Sequence, residues 1–93
     1  MRQYELVAVF PSEEELFRQG KDAVAAELAK EGAAEVKETD MGDRQLAYSI
    51  KKRERGHYVL FTMNLDPQKV TPAERIFKLN PNLLKYLFVK VEA

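Results

Sequence analysis

Ninety-three residues can close around one small hydrophobic core, and a 45% apolar share is ordinary for a globular chain. The absence of cysteine excludes disulfides, thiolate metal sites, iron–sulfur clusters and cysteine nucleophiles. Formal charge is zero, which argues against a uniformly basic nucleic-acid binder, yet residues 12–40 hold nine acids and four bases while residues 41–93 hold ten bases and five acids. A chain so divided can present one basic face behind a near-neutral pI.

Residues 1–93 are expected to form one domain. Met1-Arg2-Gln3-Tyr4 leads directly into a strand pattern, unlike a signal peptide, and no apolar run approaches the roughly 20 residues of a membrane helix. The expected location is the cytoplasm.

Tyr4 to Phe10 is β-rich, almost continuously apolar and stopped by Pro11, which predicts a central strand. Ser12-Glu13-Glu14-Glu15 has the form of a capping box, with Ser12 and Glu15 reciprocally bonded and the glutamates at the positive end of the helix dipole. The helix is expected to run to about Glu31, burying Leu16, Phe17, Gly20, Ala23, Val24 and Leu28, with Gly32 as its left-handed C-terminal cap. A second strand starts near Glu35 and is polar at first. Its second half, Met41 to Lys51, opens on Gly42 at an expected bend or bulge. There Arg44, Leu46, Tyr48 and Ile50 alternate with Asp43, Gln45, Ala47 and Ser49. A cationic loop, Lys51-Lys52-Arg53-Glu54-Arg55, joins this to a third strand from Gly56 to Leu65.

Asp66-Pro67 marks a helix start, but Pro72 would cost about 3 kcal/mol inside a helix, so a regular helix is expected only from about Thr71, with an irregular turn before it. Thr71 and Glu74 supply a second possible capping box, and Val70, Ala73, Ile76, Phe77 and Leu79 should face the core. Asn80-Pro81-Asn82 ends the helix, and residues 83–91 form the last strand with its approach. The order strand, helix, strand, strand, helix, strand predicts an α+β ferredoxin-like fold: a four-stranded antiparallel sheet with both helices on one face. The first and last strands are expected to pair with the third at or near the centre.

Convergent reactive groups are scarce. The single histidine, His57, has no obvious base partner or nucleophile and reads as an exposed strand-end residue. The three adjacent glutamates do not converge on a cation, and the four glycines stand too far apart for a phosphate loop. Neither a cofactor nor a metal is expected. The third strand lacks the Gly-Phe-rich signature of RNA-recognition domains, although Tyr4, Tyr48, Tyr58 and Phe61 are available as stacking groups. Two features remain unexplained by folding alone. Lys51, Lys52, Arg53 and Arg55 crowd the hairpin tip, with Lys78, Lys85 and Lys90 later and Arg2 at the start, and the strands are more apolar than two helices can cover.

Gly42-Asp43-Arg44-Gln45-Leu46-Ala47-Tyr48-Ser49-Ile50-Lys51 resembles the signature of the bacterial small-subunit ribosomal protein six family: Gly, any, basic, polar, Leu, Ala or Ser, Tyr, any, Ile, polar or basic. Arg2-Gln3-Tyr4-Glu5, His57-Tyr58, Glu74-Arg75 through Leu79-Asn80 and Leu84-Lys85-Tyr86-Leu87 extend the resemblance along nearly the whole chain. Lys85 stands where arginine is common, Pro72 interrupts a continuous helix, and many members carry a longer tail whose contacts do not transfer. The resemblance implies a non-catalytic, ribosome-associated constituent of the small subunit. It would bind the central domain of the small-subunit rRNA jointly with ribosomal protein eighteen, as a heterodimer. By matching position the RNA-facing candidates are Arg2, Lys78, Lys85 and Lys90, with Arg53 and Arg55 weaker. Gly42, Arg44, Leu46, Ala47, Tyr48 and Ile50 form the signature strand, structural or partner-facing. Two other readings of the same fold are a small-metabolite-binding regulatory module and an acylphosphatase-like enzyme. The latter wants an arginine where Ser12-Glu13-Glu14-Glu15 puts acid.

Overall fold

A computed structural model describes residues 1–91. The elements are β1 (Arg2–Phe10), α1 (Glu14–Lys30), β2 (Ala34–Ile50), β3 (Arg53–Leu65), a 3-10 turn (Pro67–Lys69), α2 (Val70–Phe77) and β4 (Lys85–Lys90). The strands form one sheet in the order β2-β3-β1-β4, with every neighbouring pair antiparallel. This is the ferredoxin-like arrangement that the element order predicts. One expectation fails: β4 pairs with β1 alone and lies at the edge, so the centre is β1 and β3. The apolar character of the last segment has another source, because Leu83 and Leu84 precede β4 and are buried in the core.

Period two sorts each strand into two faces. Leu6, Ala8 and Phe10 of β1 and Val59, Phe61, Met63 and Leu65 of β3 meet Val24 and Leu28 of α1 and Ala73 and Phe77 of α2 in the main core. At 8 residues α2 is too short to bury more. Ile76 and Leu79, expected in the core, are 42% and 76% exposed, and Ala23 is exposed too.

Both expected capping boxes are absent. Glu13 is the N-cap of α1 without a side-chain cap bond. Ser12 Oγ instead donates to Asp43 Oδ1 at 2.5 Å, and the Glu13 carboxylate accepts two bonds from Arg53 at 2.6 and 2.8 Å. In the second case Asp66 takes over the start, accepting from the Gln68 amide at 3.0 Å to open the 3-10 turn that runs into α2. Pro72 therefore falls in the first turn of α2, where a missing N–H leaves no intrahelical acceptor unfilled. Gly32 closes α1 at φ +82, and Gly42 sits at φ +87 where the β2–β3 register slips between Asp40 and Gly42, the bulge its position predicts.

The tip of the hairpin is tighter than a five-residue loop. Only Lys51 and Lys52 form the turn, both at positive φ as two-residue hairpins require, and β3 begins at Arg53. Its far half wraps over the open sheet face. Leu46 of β2 reaches across β3 to Val9 of β1 and to Leu84, forming a second small core with Ile50 and Tyr58 against it. Gly56 makes this possible: a Cβ there would stand 2.5 Å from Val9 Cγ1 and 3.4 Å from Leu46 Cδ2. One opposite edge of the sheet is thereby carried to the other.

Glu27 on α1 is 5% exposed, and its Oε1 has no hydrogen-bond partner. Burial first, and then its bond with Glu31, push its carboxyl pKa up. The fold thus favours the protonated form, and that stabilisation is lost as pH rises through the raised pKa. Glu27→Gln is expected to be the more stable form at pH 7, by up to about 1 kcal/mol. The gain should shrink below the ordinary glutamate range. Urea unfolding of both forms at pH 4 and pH 7 checks this, and an equal difference at the two pH values would contradict it.

Candidate nucleic-acid interface

The wrapped hairpin brings three lysines from three distant parts of the chain to one place. Lys51 of the turn, Lys78 after α2 and Lys85 at the start of β4 line one open cleft of about 290 Å³, whose walls are Phe77, Leu83, Leu84 and Tyr86. Lys51 Nζ reaches the Leu83 carbonyl oxygen at 3.4 Å. Lys85 Nζ donates to the Tyr48 hydroxyl at 3.1 Å and stands 5.5 Å from the centre of its ring. That hydrogen bond holds the Lys85 pKa above the ordinary lysine value, so it stays a cation. Among the described residues no carboxylate pairs with any of the three. The nearby Glu74 accepts from Tyr86 Oη at 3.2 Å. A cleft with three uncompensated ammonium groups, walled by apolar side chains, suits a phosphodiester: the charges meet phosphate oxygens and the walls meet sugar or base.

The other basic candidates lie elsewhere. Arg2 pairs in register with Leu65 and Lys90 with Tyr4, whereas Lys85 pairs with Val9. Arg2 and Lys90 are thus together at the opposite end of β1 and β4, about 17 Å (Lys90) and about 23 Å (Arg2) from Lys85 along the strands at the usual rise per strand residue. Arg53 and Arg55 are not loop residues. Arg53 grips Glu13, and Arg55 Nε reaches Asp43 Oδ2 at 3.0 Å. Arg53 chiefly holds the Glu13 pKa down, while Ser12 first and Arg55 second do so for Asp43. These two arginines fasten the hairpin to the start of α1 and to β2.

His57 is also structural, and the expectation of an exposed strand end is wrong. Its ring stacks on Phe17 of α1 at 3.8 Å between centroids, and Nε2 lies 2.5 Å from Asp40 Oδ1. The imidazole staples α1 to β2 just before the bulge. Of the signature residues, Gly42 makes the bulge and Leu46 the second core. Arg44 lies 5.9 Å from the Tyr58 ring centre, Ile50 is half-buried, and Ala47 and Tyr48 are exposed.

Beside the cleft the open sheet face carries an apolar band. Leu60, Val7 and Leu87 are in register across β3, β1 and β4. Leu87 is 57% exposed, Val89 42% and Tyr48 63%. Lys51 is the residue that reasoning along the chain leaves out of the site, because only the wrap over Gly56 sets it beside Lys78 and Lys85.

The family model for ribosomal protein S6 matches residues 3–90. The chain belongs to the ribosomal protein S6 family. Small ribosomal subunit protein bS6 of Treponema denticola is 48% identical over 92 residues, covering 99% of both chains. That of Treponema pallidum (strain Nichols) is 44% identical over 93 residues, covering both chains completely. The crystal structure of 30S ribosomal protein S6 from Thermotoga maritima superposes with a TM-score of 0.81 at 22% identity, over 97% of this chain and 87% of that one, and shows the shared fold. Fold alone does not decide function. The C-terminal domain of the MgtC protein from Mycobacterium tuberculosis superposes with a TM-score of 0.57 at 10% identity, over 99% of this chain and 89% of that domain. Membership of the S6 family makes this a ribosomal protein of the small subunit, cytoplasmic with its ribosome and not an enzyme. It displaces the metabolite-binding and acylphosphatase-like readings. No helix among the described residues is long and apolar enough to cross a membrane.

Proposed function

We propose that this S6-family chain binds the central domain of the small-subunit rRNA through the Lys51–Lys78–Lys85 cleft, as a heterodimer with ribosomal protein eighteen seated on the open sheet face. The observation that carries the RNA half is the convergence of three lysines, free of carboxylate partners among the described residues, on one cleft. Exposed charges that merely kept a surface soluble would stand among acids, as Lys21 stands 3.3 Å from Glu38. Arg2 and Lys90 provide a second, separate contact. Arg53 and Arg55 are the weakest candidates because their guanidinium groups are already paired. The protein half rests on the apolar band, which the two helices leave uncovered on the other side of the sheet.

Three phosphate contacts set a measurable salt dependence. The logarithm of affinity for an rRNA fragment should fall with the logarithm of salt concentration with a slope at least as steep as about −2 to −3, the share of the three cleft lysines. Filter binding across a salt series checks it, and a flat line would exclude phosphate contact through the cleft. Leu87→Asp is expected to weaken heterodimer formation while leaving the slope unchanged.

A further inference from the structure

Lys85 belongs to two surfaces at once. Lys85 lines the lysine cleft, and its ammonium is bonded to Tyr48, whose ring is exposed, while Leu87 two residues along β4 is exposed too. The contact is unexpected from topology, since β2 and β4 are opposite edges of the sheet. It exists because the hairpin wraps over Gly56. Neither side chain is held in place by packing: the Tyr48 ring is 63% exposed, and Lys85 is an exposed lysine with a flexible four-carbon stem. Ordering either one orders the other.

We propose that Tyr48 is a positioning residue that couples the two binding events: a protein partner covering its ring fixes its hydroxyl, and the hydroxyl fixes Lys85 at the cleft for phosphate. The inference rests on the function proposed above. The free energy of ordering Lys85 is then met once, when the partner docks, and RNA binds an already ordered cation. Linkage makes the effect reciprocal, so RNA raises affinity for the partner by the same factor. The hydroxyl oxygen accepts from lysine, so a phenylalanine keeps the apolar ring and loses only the link.

The test is a thermodynamic cycle with wild type, Tyr48→Phe, Lys85→Met and the double variant. RNA affinity is measured for each with and without ribosomal protein eighteen, using a central-domain fragment of small-subunit rRNA as the probe. Partner affinity is measured separately without RNA. In the wild type the partner should tighten RNA binding by about five-fold or more. Tyr48→Phe should cut that factor to about a third or less, and change nothing further once Lys85 is methionine. An unchanged factor in Tyr48→Phe overturns the proposal, as does an equal effect of Tyr48→Phe with and without Lys85, or no partner effect in the wild type. If Lys85→Met leaves RNA binding untouched, the cleft reading itself fails, which is a separate result.

Discussion

Gly20→Ala should destabilise the fold by about 2 kcal/mol or more, although alanine is the better helix former. Gly20 is where the loop after α2 crosses α1. A Cβ there would stand 2.2 Å from the Asn82 carbonyl oxygen and 2.8 Å from Phe10 Cδ1. Helix propensity favours the substitution by about 1 kcal/mol. The clash outweighs it, because a backbone oxygen cannot rotate away and the loop is tied to α1 on both sides. Asn80 Nδ2 donates to the Gly20 carbonyl and Asn82 Nδ2 to Gln19 Oε1, each at 3.3 Å. Overpacking of this kind costs about 1 to 3 kcal/mol where the surroundings can shift, and more where they cannot. The same loop joins Lys78 to Lys85, so displacing it should also weaken RNA binding. Denaturant unfolding measures the first effect. A variant more stable than wild type would mean that the helix and loop do not touch there.

Reversing Lys78 and Lys85 to glutamate should lower affinity for the rRNA fragment by at least about tenfold and flatten the salt slope by about 2. Reversing Lys21 and Lys30 on α1 should change affinity by less than about twofold, although the same number of charges is inverted. The difference lies in placement. Lys78 and Lys85 line one cleft whose lining holds no acid, whereas Lys21 is outside that lining and pairs with Glu38. The four lysines are exposed or half-buried, and such substitutions are usually within about 0.5 kcal/mol in stability. Binding losses can therefore be read without a folding correction once both pairs unfold at the same denaturant concentration. Equal losses for the two pairs would remove the cleft from the account.

The fold was legible because its signals are local. Alternation along the strands, Pro11 after β1, and glycines at the end of α1 and at the bulge each act within a few residues. The capping box at Ser12 misled for a physical reason: Ser12 has a partner in Asp43, 31 residues away, that local reading cannot weigh, and Glu15 is taken by Arg18 and Gln19. His57 misled in the same way, since Phe17 and Asp40 meet it only after folding. Lys78 and Lys85 are named as candidates from charge distribution and family resemblance together. Their convergence with Lys51 was not legible, because it depends on Leu46 crossing a side-chain-free Gly56 to reach Val9 and Leu84. The signature strand thus shapes the lysine cleft indirectly, by bending the hairpin over it.

The most direct measurement follows the protein into the ribosome. Tagged wild type and a Lys51→Glu, Lys78→Glu, Lys85→Glu triple variant would be expressed in the cells the chain comes from, and ribosomal subunits separated on a sucrose gradient after a moderate salt wash. The account predicts wild type in the small-subunit peak and the triple variant, folded by its unfolding curve, at the top of the gradient. Wild type absent from the small-subunit peak, or the triple variant retained there as fully as wild type, would contradict it.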